Sequence, residues 1–114
     1  MNFTAVMVVN YFKPWYELSP DDRIDFEHEH VFPAIGEFVK AGGSITPVRA
    51  IRCARDAESF FVMSFGELEI YLDLVRALRS TLLITSGLAE IAFETVGVNE
   101  AYFAERDAAR RAAR

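Results

Sequence analysis

WYELSPDDRIDFEHEHVFPAIGEFVKA, residues Trp15 to Ala41, is the longest periodic stretch of the chain and carries both of its histidines. Its helix start is readable from side-chain chemistry. Ser19 is an N-cap residue, and Pro20 occupies the first helical position, where a missing N–H costs nothing. Asp21 and Asp22 follow in the first turn, favourable to the helix dipole. Ile24, His28, Val31, Phe32, Ile35, Phe38 and Val39 then recur at three- and four-residue steps and predict one apolar stripe. Pro33 interrupts this pattern and predicts a kink or a division into two helices. Ala41-Gly42-Gly43 ends it.

Outward from that stretch the chain alternates between strand and helix. Asn2–Phe12 is rich in Val, Phe and Tyr and is apolar on both alternating faces, as expected of a central strand covered on both sides. Ser44–Asp56 reads as a second strand; Pro47 with Arg49, Arg52 and Arg55 suits a sheet edge. Ala57-Glu58 is a tight turn into Ser59–Phe65, a third strand apolar on both faces. Glu67–Ser80 is an amphipathic helix with Leu68, Tyr71, Leu72, Val75 and Leu78 inward, and Thr81–Gly87 is a loop. Leu88–Val98 is a fourth strand, with Ile91, Phe93 and Thr95 on one face and Ala92, Glu94 and Val96 on the other. Asn99 caps a final helix, Glu100–Arg114, which docks by Tyr102 and Phe103. The expected division is a domain over residues 1–98 and a helical tail over 99–114.

The order β-α-β-β-α-β predicts an α+β, ferredoxin-like fold: a four-stranded antiparallel sheet with two helices on one face. The other face is left bare although the first and third strands are apolar on both sides. Two copies packed sheet to sheet, a dimeric α/β barrel, resolve this; the alternative is a monomer covered by its C-terminal helix.

Composition points the same way. Ten Phe and 52% apolar residues in 114 residues are much for one small core and predict a homodimer or a lined cavity. The net charge of −5 excludes the basic footprint of a nucleic-acid binder. Cys53 is the only cysteine, so an intrachain disulfide or a cysteine metal cluster is excluded. No apolar run is long enough to span a membrane. The N-terminus lacks the features of a signal peptide, so a cytoplasmic location is expected.

Two segments resemble a known family. Trp15-x-x-Leu18-Ser19-x-x-x-Arg23-x-x-Phe26 with Pro33 resembles the first-helix signature of the darcynin-like proteins, and Val75-x-Ala77-Leu78-Arg79-Ser80-Thr81 resembles the end of their second helix. The resemblance covers most of residues 3–103 and implies a ferredoxin-like architecture without implying a reaction. The Arg-rich tail departs from it. The wider class of dimeric α/β barrels includes cofactor-free oxygenases and cyclases acting on aromatic molecules, and haem proteins, a link of fold alone.

His28 is the sharpest candidate for chemistry. Placed in the apolar stripe, it points between helix and sheet, where an imidazole can move a proton to or from a ligand. The competing reading is a core histidine bonded to a backbone carbonyl. His30, about 200° further round the helix, is expected outside. The run Glu27-His28-Glu29-His30 lacks the i,i+4 histidine pair of a helical zinc site, so no metal is expected. Asn10, Tyr11, Trp15 and Tyr16 gather where the first strand leaves the sheet and form a candidate site for a flat, partly polar ligand, or plain packing. Glu94, on a mostly apolar face, is a further candidate for the ligand site; if buried it has a raised pKa or an Arg partner, such as Arg49 or Arg52, within the chain or across the dimer interface. No cofactor is expected; haem needs an axial ligand, for which His28 could serve, but nothing else in the sequence supports haem. The functional expectation is a homodimeric, cofactor-independent enzyme of cyclase, isomerase or oxygenase type acting on a small, largely apolar or aromatic molecule, with His28 as acid/base. The alternative is a non-catalytic binding or accessory protein.

Overall fold

A computed structural model of the chain describes residues 1–51 and 59–113. The expected end of the second strand, with Arg52, Cys53 and Arg55, and the Ala57-Glu58 turn lie outside the described residues. The elements are β1 (Phe3–Tyr11), α1 (Lys13–Glu17), α2 (Pro20–His30), α3 (Phe32–Lys40), β2 (Ser44–Arg49), β3 (Ser59–Phe65), α4 (Leu68–Arg79), α5 (Leu82–Thr85), β4 (Ala89–Val98) and α6 (Glu100–Ala112). The strands form an antiparallel sheet in the order β2-β3-β1-β4. This is the ferredoxin-like α+β arrangement, with helices packed on one face.

β1 divides its side chains between the two faces. Ala5, Met7 and Val9 join Met63 and Phe65 of β3 in the core beneath the helices. α3 contributes Phe38 to that core, and α4 contributes Tyr71, Leu74 and Val75. Phe65 stacks on Tyr71 at 5.1 Å and meets the edge of Phe38 at 6.0 Å. The opposite face of β1 carries Thr4, Val6 and Val8, in register with Ser64, Val62 and Phe60 of β3. Among the described residues, no helix is packed on that face.

The helix punctuation behaves as its residues predict. The Ser19 hydroxyl accepts the Asp22 N–H at 3.1 Å, with Pro20 in the first turn. At the end of α3, Gly42 takes a φ of 103°, and Gly43 N–H reaches back to the Phe38 carbonyl at 3.0 Å. Pro33 divides the long stretch at Val31 into α2 and α3.

That division corrects the predicted stripe. Val31, Ile35 and Phe38 turn inward, but Ile24 and His28 are exposed, and in α2 the partly buried residues are Arg23, Phe26, Glu27 and His30. Phasing the whole stretch from α3 carried the stripe through a break that resets the helix. In α4 the inward face is centred on Tyr71, Leu74, Val75 and Leu78, so Leu68 and Leu72 are exposed rather than core. Leu82–Thr85, within the expected loop, is a short helix that buries Leu83, and Lys13–Glu17 is another, which buries Trp15.

β4 departs from simple alternation. Its pairing with β1 steps from Val8↔Phe93 to Val9↔Ile91, a β-bulge with Ala92 as the extra residue. Ile91 therefore faces the helices with Val9, Phe93 shares the open face with Val8, and Glu94, opposite Met7, faces the helices again. The expected grouping of Ile91 with Phe93 fails for this reason.

α6 has no buried residue, and Tyr102 alone of its aromatic pair docks, 6.2 Å from Phe3 on the helix-covered side. Phe103 stays exposed. Asn99 stands at the N-cap position, but its side chain bonds the Met1 carbonyl and the Thr4 hydroxyl instead of the helix. A tail anchored at Phe3 does not cover the open face, so the covered-monomer alternative finds no support here.

Candidate functional site

Two adjacent spaces lie between helices and sheet. An inner cavity of about 50 Å³ is walled by Met7 and Val9 of β1, Phe61 and Met63 of β3, and apolar residues of α3, α4, α5 and β4. An outer bay of about 350 Å³ is walled by Glu27, Phe32 and Pro47 in addition to residues it shares with the cavity. The shared residues, Tyr11, Val31, Ile35, Ile45 and Phe61, form the neck. The end of β1 supplies Tyr11, the α2–α3 junction supplies Glu27, Val31 and Phe32, and the edge strand β2 supplies Ile45 and Pro47.

Among the described residues lining these spaces, only Tyr11 and Glu27 carry polar side chains. Burial pushes the Tyr11 hydroxyl up to about 12, with further contributions from the neighbouring Glu27 carboxylate and Tyr16. At neutral pH it is a hydrogen-bonding phenol. Glu27 is also raised above the usual carboxylate range, by partial burial, against a smaller lowering effect of His28. The site is therefore an apolar chamber with one phenol and one carboxyl group at its mouth.

An aromatic chain supports this mouth from behind. Tyr11 stacks on Trp15 at 5.2 Å, Trp15 meets Phe26 edge-on at 5.8 Å, and Phe26 lies 4.6 Å from the His30 ring. The family-like signature reads here as construction. Ser19 caps α2, Trp15 and Phe26 pack ring to ring, and Arg23 Nε donates to the Leu18 carbonyl at 3.1 Å, fastening α1 to α2.

The expected site residues separate. Tyr11 lines the site and Trp15 backs it. Tyr16 is exposed beneath the Arg23 guanidinium, 5.7 Å away. Asn10 alternates to the other face of β1, opposite Glu90, so it does not share the chamber with Tyr11. His28 does not enter the gap between helix and sheet. It is exposed, with its ring edge-on to Phe32 at 4.8 Å, and it acts on the site through that side chain and through its lowering effect on Glu27. His30 is the more buried histidine, packed on Phe26 with Nε2 3.7 Å from Glu29. Neither histidine lines the cavity or the bay, so neither fits the place of an axial haem ligand there.

Glu94 accepts a hydrogen bond from the buried Tyr71 hydroxyl, which burial first and that carboxylate second hold well above its usual range. Glu94 is exposed, and β2 and β4 are opposite edges of the sheet, so Arg49 is not its partner within one chain. Glu27 is the group that sequence reasoning missed. The spacing Arg23, Phe26, Glu27, His30 is itself a helical stripe, but the charges on it obscure the pattern.

Fold and site together define a ferredoxin-like domain with an apolar chamber under its helical layer. Solved structures with this fold include a variant chlorite dismutase from Candidatus Nitrospira defluvii, with TM-score 0.69 and 18% identity over 85% of this chain and 40% of that one. Another is the dimeric chlorite dismutase from Nitrobacter winogradskyi, with TM-score 0.64 and 17% identity over 85% of this chain and 55% of that one. These neighbours belong to the dimeric α/β barrel class. The likeness is one of fold, and the chain spans about half the length of these structures. No family model matches the sequence, and no curated relative does. Among the described residues no helix is long and apolar enough to cross a membrane, and no three His, Cys, Asp or Glu side chains converge as a metal site.

Proposed function

We propose that the chain works as a homodimer that takes a small, largely apolar, ring-containing molecule into the chamber under α3. It acts on that molecule by acid–base chemistry, with Glu27 in the role expected of His28. The observation that carries this reading is the pairing of Tyr11 and Glu27 at the mouth of an otherwise apolar space. An apolar pocket with few convergent polar groups is the usual form of a small-molecule site, and partial burial raises the Glu27 pKa, the direction that makes a carboxylate a stronger base. Tyr11 orients a polar atom of the ligand by a hydrogen bond while Glu27 exchanges a proton with it, chemistry of the isomerase or cyclase type.

The dimer forms through the open sheet face, where Val6, Val8, Phe60 and Val62 make an apolar surface on which no described helix packs. The Nitrobacter winogradskyi neighbour, described as dimeric, supports this by analogy of fold.

The test is a titration with indole and toluene by calorimetry, on the wild type and on Ile35→Phe, which fills the neck. Saturable binding lost in Ile35→Phe is the expected result; binding unaffected by that change sinks the reading. Once a turned-over molecule is found, Glu27→Gln should remove turnover while keeping binding. Binding in the wild type without turnover of any molecule that fits would mark the chain as a binder alone.

A further inference from the structure

The outer bay is more than an entrance. Phe32, Phe61 and Tyr11 wall it with aromatic rings, Pro47 and Ile45 close it from β2, and Glu27 stands among them. Among the described residues, Glu27 has neither an ion-pair nor a side-chain hydrogen-bond partner, and no Lys, Arg or His lines the bay. A partly buried carboxylate beside aromatic rings, with no ion pair among the described residues and only the exposed His28 acting on it from outside the bay, is set to receive a cation. The negative edges of the site, ring quadrupoles and carboxylate together, attract a compact cation and offer nothing to an anion.

We propose that the bay is an ammonium-binding site: it holds the protonated nitrogen of a small aryl- or alkylamine against Glu27 and the Tyr11 and Phe32 rings, while the apolar remainder of the molecule enters the inner cavity. This rests on the small-molecule reading above and names its substrate class. The division of labour follows the two spaces. The inner cavity, lined by Met7, Val9, Met63 and their apolar neighbours, rewards a methylene chain or ring edge. At the bay, ammonium N–H groups donate to the Glu27 carboxylate and to the Tyr11 hydroxyl oxygen, which accepts in its neutral form. The chain's net charge of −5 adds a general attraction for cations, which the test must separate from the site itself.

The experiment compares phenethylamine with phenethyl alcohol, its neutral counterpart of similar shape, by calorimetry at neutral pH. The wild type should bind the amine at least about tenfold more tightly. Glu27→Gln should abolish that preference while retaining the alcohol. Glu29→Gln, which removes an exposed acid on the same helix, should leave the preference intact and so exclude general charge attraction. Equal affinities for the two probes, or a preference that survives in Glu27→Gln, would overturn the ammonium assignment. If the alcohol binds and the amine gains nothing, only this assignment falls; if neither probe binds, the chamber reading falls with it. Unchanged far-ultraviolet circular dichroism of Glu27→Gln verifies that the variant is folded.

Discussion

The Tyr11 ring lies on Trp15, 5.2 Å between centroids and 27° from parallel, so the lining of the chamber touches the chain's one tryptophan directly. Trp15 is buried, and its ring faces Tyr11 on one side and Phe26 on another. A molecule entering the neck displaces or polarises Tyr11, and that change reaches the indole through van der Waals contact. Toluene, which does not absorb where tryptophan emits, should shift or quench Trp15 emission saturably, in step with calorimetric binding. A saturable heat signal with no change in emission would place the molecule elsewhere on the protein.

Tyr11 should also make the fold sensitive to alkali. Its pKa is pushed up from 10.0 to about 12 by burial first and by Glu27 second. The folded state therefore holds the phenolic proton more tightly than the unfolded chain does. The contribution to stability is complete below the unfolded value of 10.0 and is lost as pH rises through about 12. Denaturant midpoints measured across that range should fall for the wild type and fall less for Tyr11→Phe. Parallel curves for the two proteins would show that Tyr11 is not held as described.

Glu27 carries the same sign at the other end of the scale. Burial raises its pKa above 4.5, so the folded state binds this proton more readily than the unfolded chain does. Its contribution to stability is present below 4.5 and is lost as pH rises through the raised value. Glu27→Gln, which cannot ionise, should be more stable than the wild type at neutral pH and equal to it in acid. The carboxylate is only partly buried and solvent screens it, so the gain is less than about 1 kcal/mol. Its disappearance below the usual carboxylate range, read from urea midpoints against pH, distinguishes this cause from a packing effect.

The element order was legible because each boundary carries its own chemistry: Ser19-Pro20 starts a helix, Gly42-Gly43 stops one, and Pro47 sits at an edge. What escaped was phase. Val31 breaks the helix with φ −109° and ψ −49°, and extending the α3 stripe back across it exchanged Glu27 for His28 as the inward residue. In β4 the bulge at Ala92 did the same to Ile91 and Phe93, because alternation assumes a pairing without extra residues. The candidate site was half visible. Tyr11 and Trp15 follow from strand alternation and aromatic clustering, whereas Asn10 lies on the wrong face by that same alternation.

The open sheet face gives a prediction about assembly. Val8 is only 9% exposed and is flanked in register by Phe60 and Phe93, on a face where no described helix packs. Phe93 itself is 44% exposed, and with Phe60 it forms a layer of rings on this face. Phe60→Lys places an ammonium group at the centre of that layer without entering the helix-side core. A dimer held by this face should become monomeric by light scattering at micromolar concentration, with secondary structure retained. A Phe60→Lys protein that stays dimeric would move the interface away from the open face.

Gly43 tests the packing that closes α3. A Cβ placed there would stand 2.4 Å from Phe38 Cζ and within 2.7 Å of two more ring atoms, far inside van der Waals contact. Phe38 cannot swing aside freely, because it is 3% exposed and its ring meets Phe65 in the core. The Gly43 N–H also closes the end of α3 on the Phe38 carbonyl, so moving the loop outward to relieve the clash breaks that bond. Gly43→Ala should therefore cost about 1–3 kcal/mol in urea denaturation, the range for forcing extra volume into a packed core. Gly42→Ala acts through a different cause. Nothing stands near its would-be Cβ, but the backbone has φ +103°, which alanine adopts only under strain. Combining Gly43→Ala with Phe38→Leu separates the two, because the smaller side chain makes room for the methyl group. The double variant should lose less stability than the sum of the single changes, whereas strict additivity would mean that Gly43 and Phe38 do not meet.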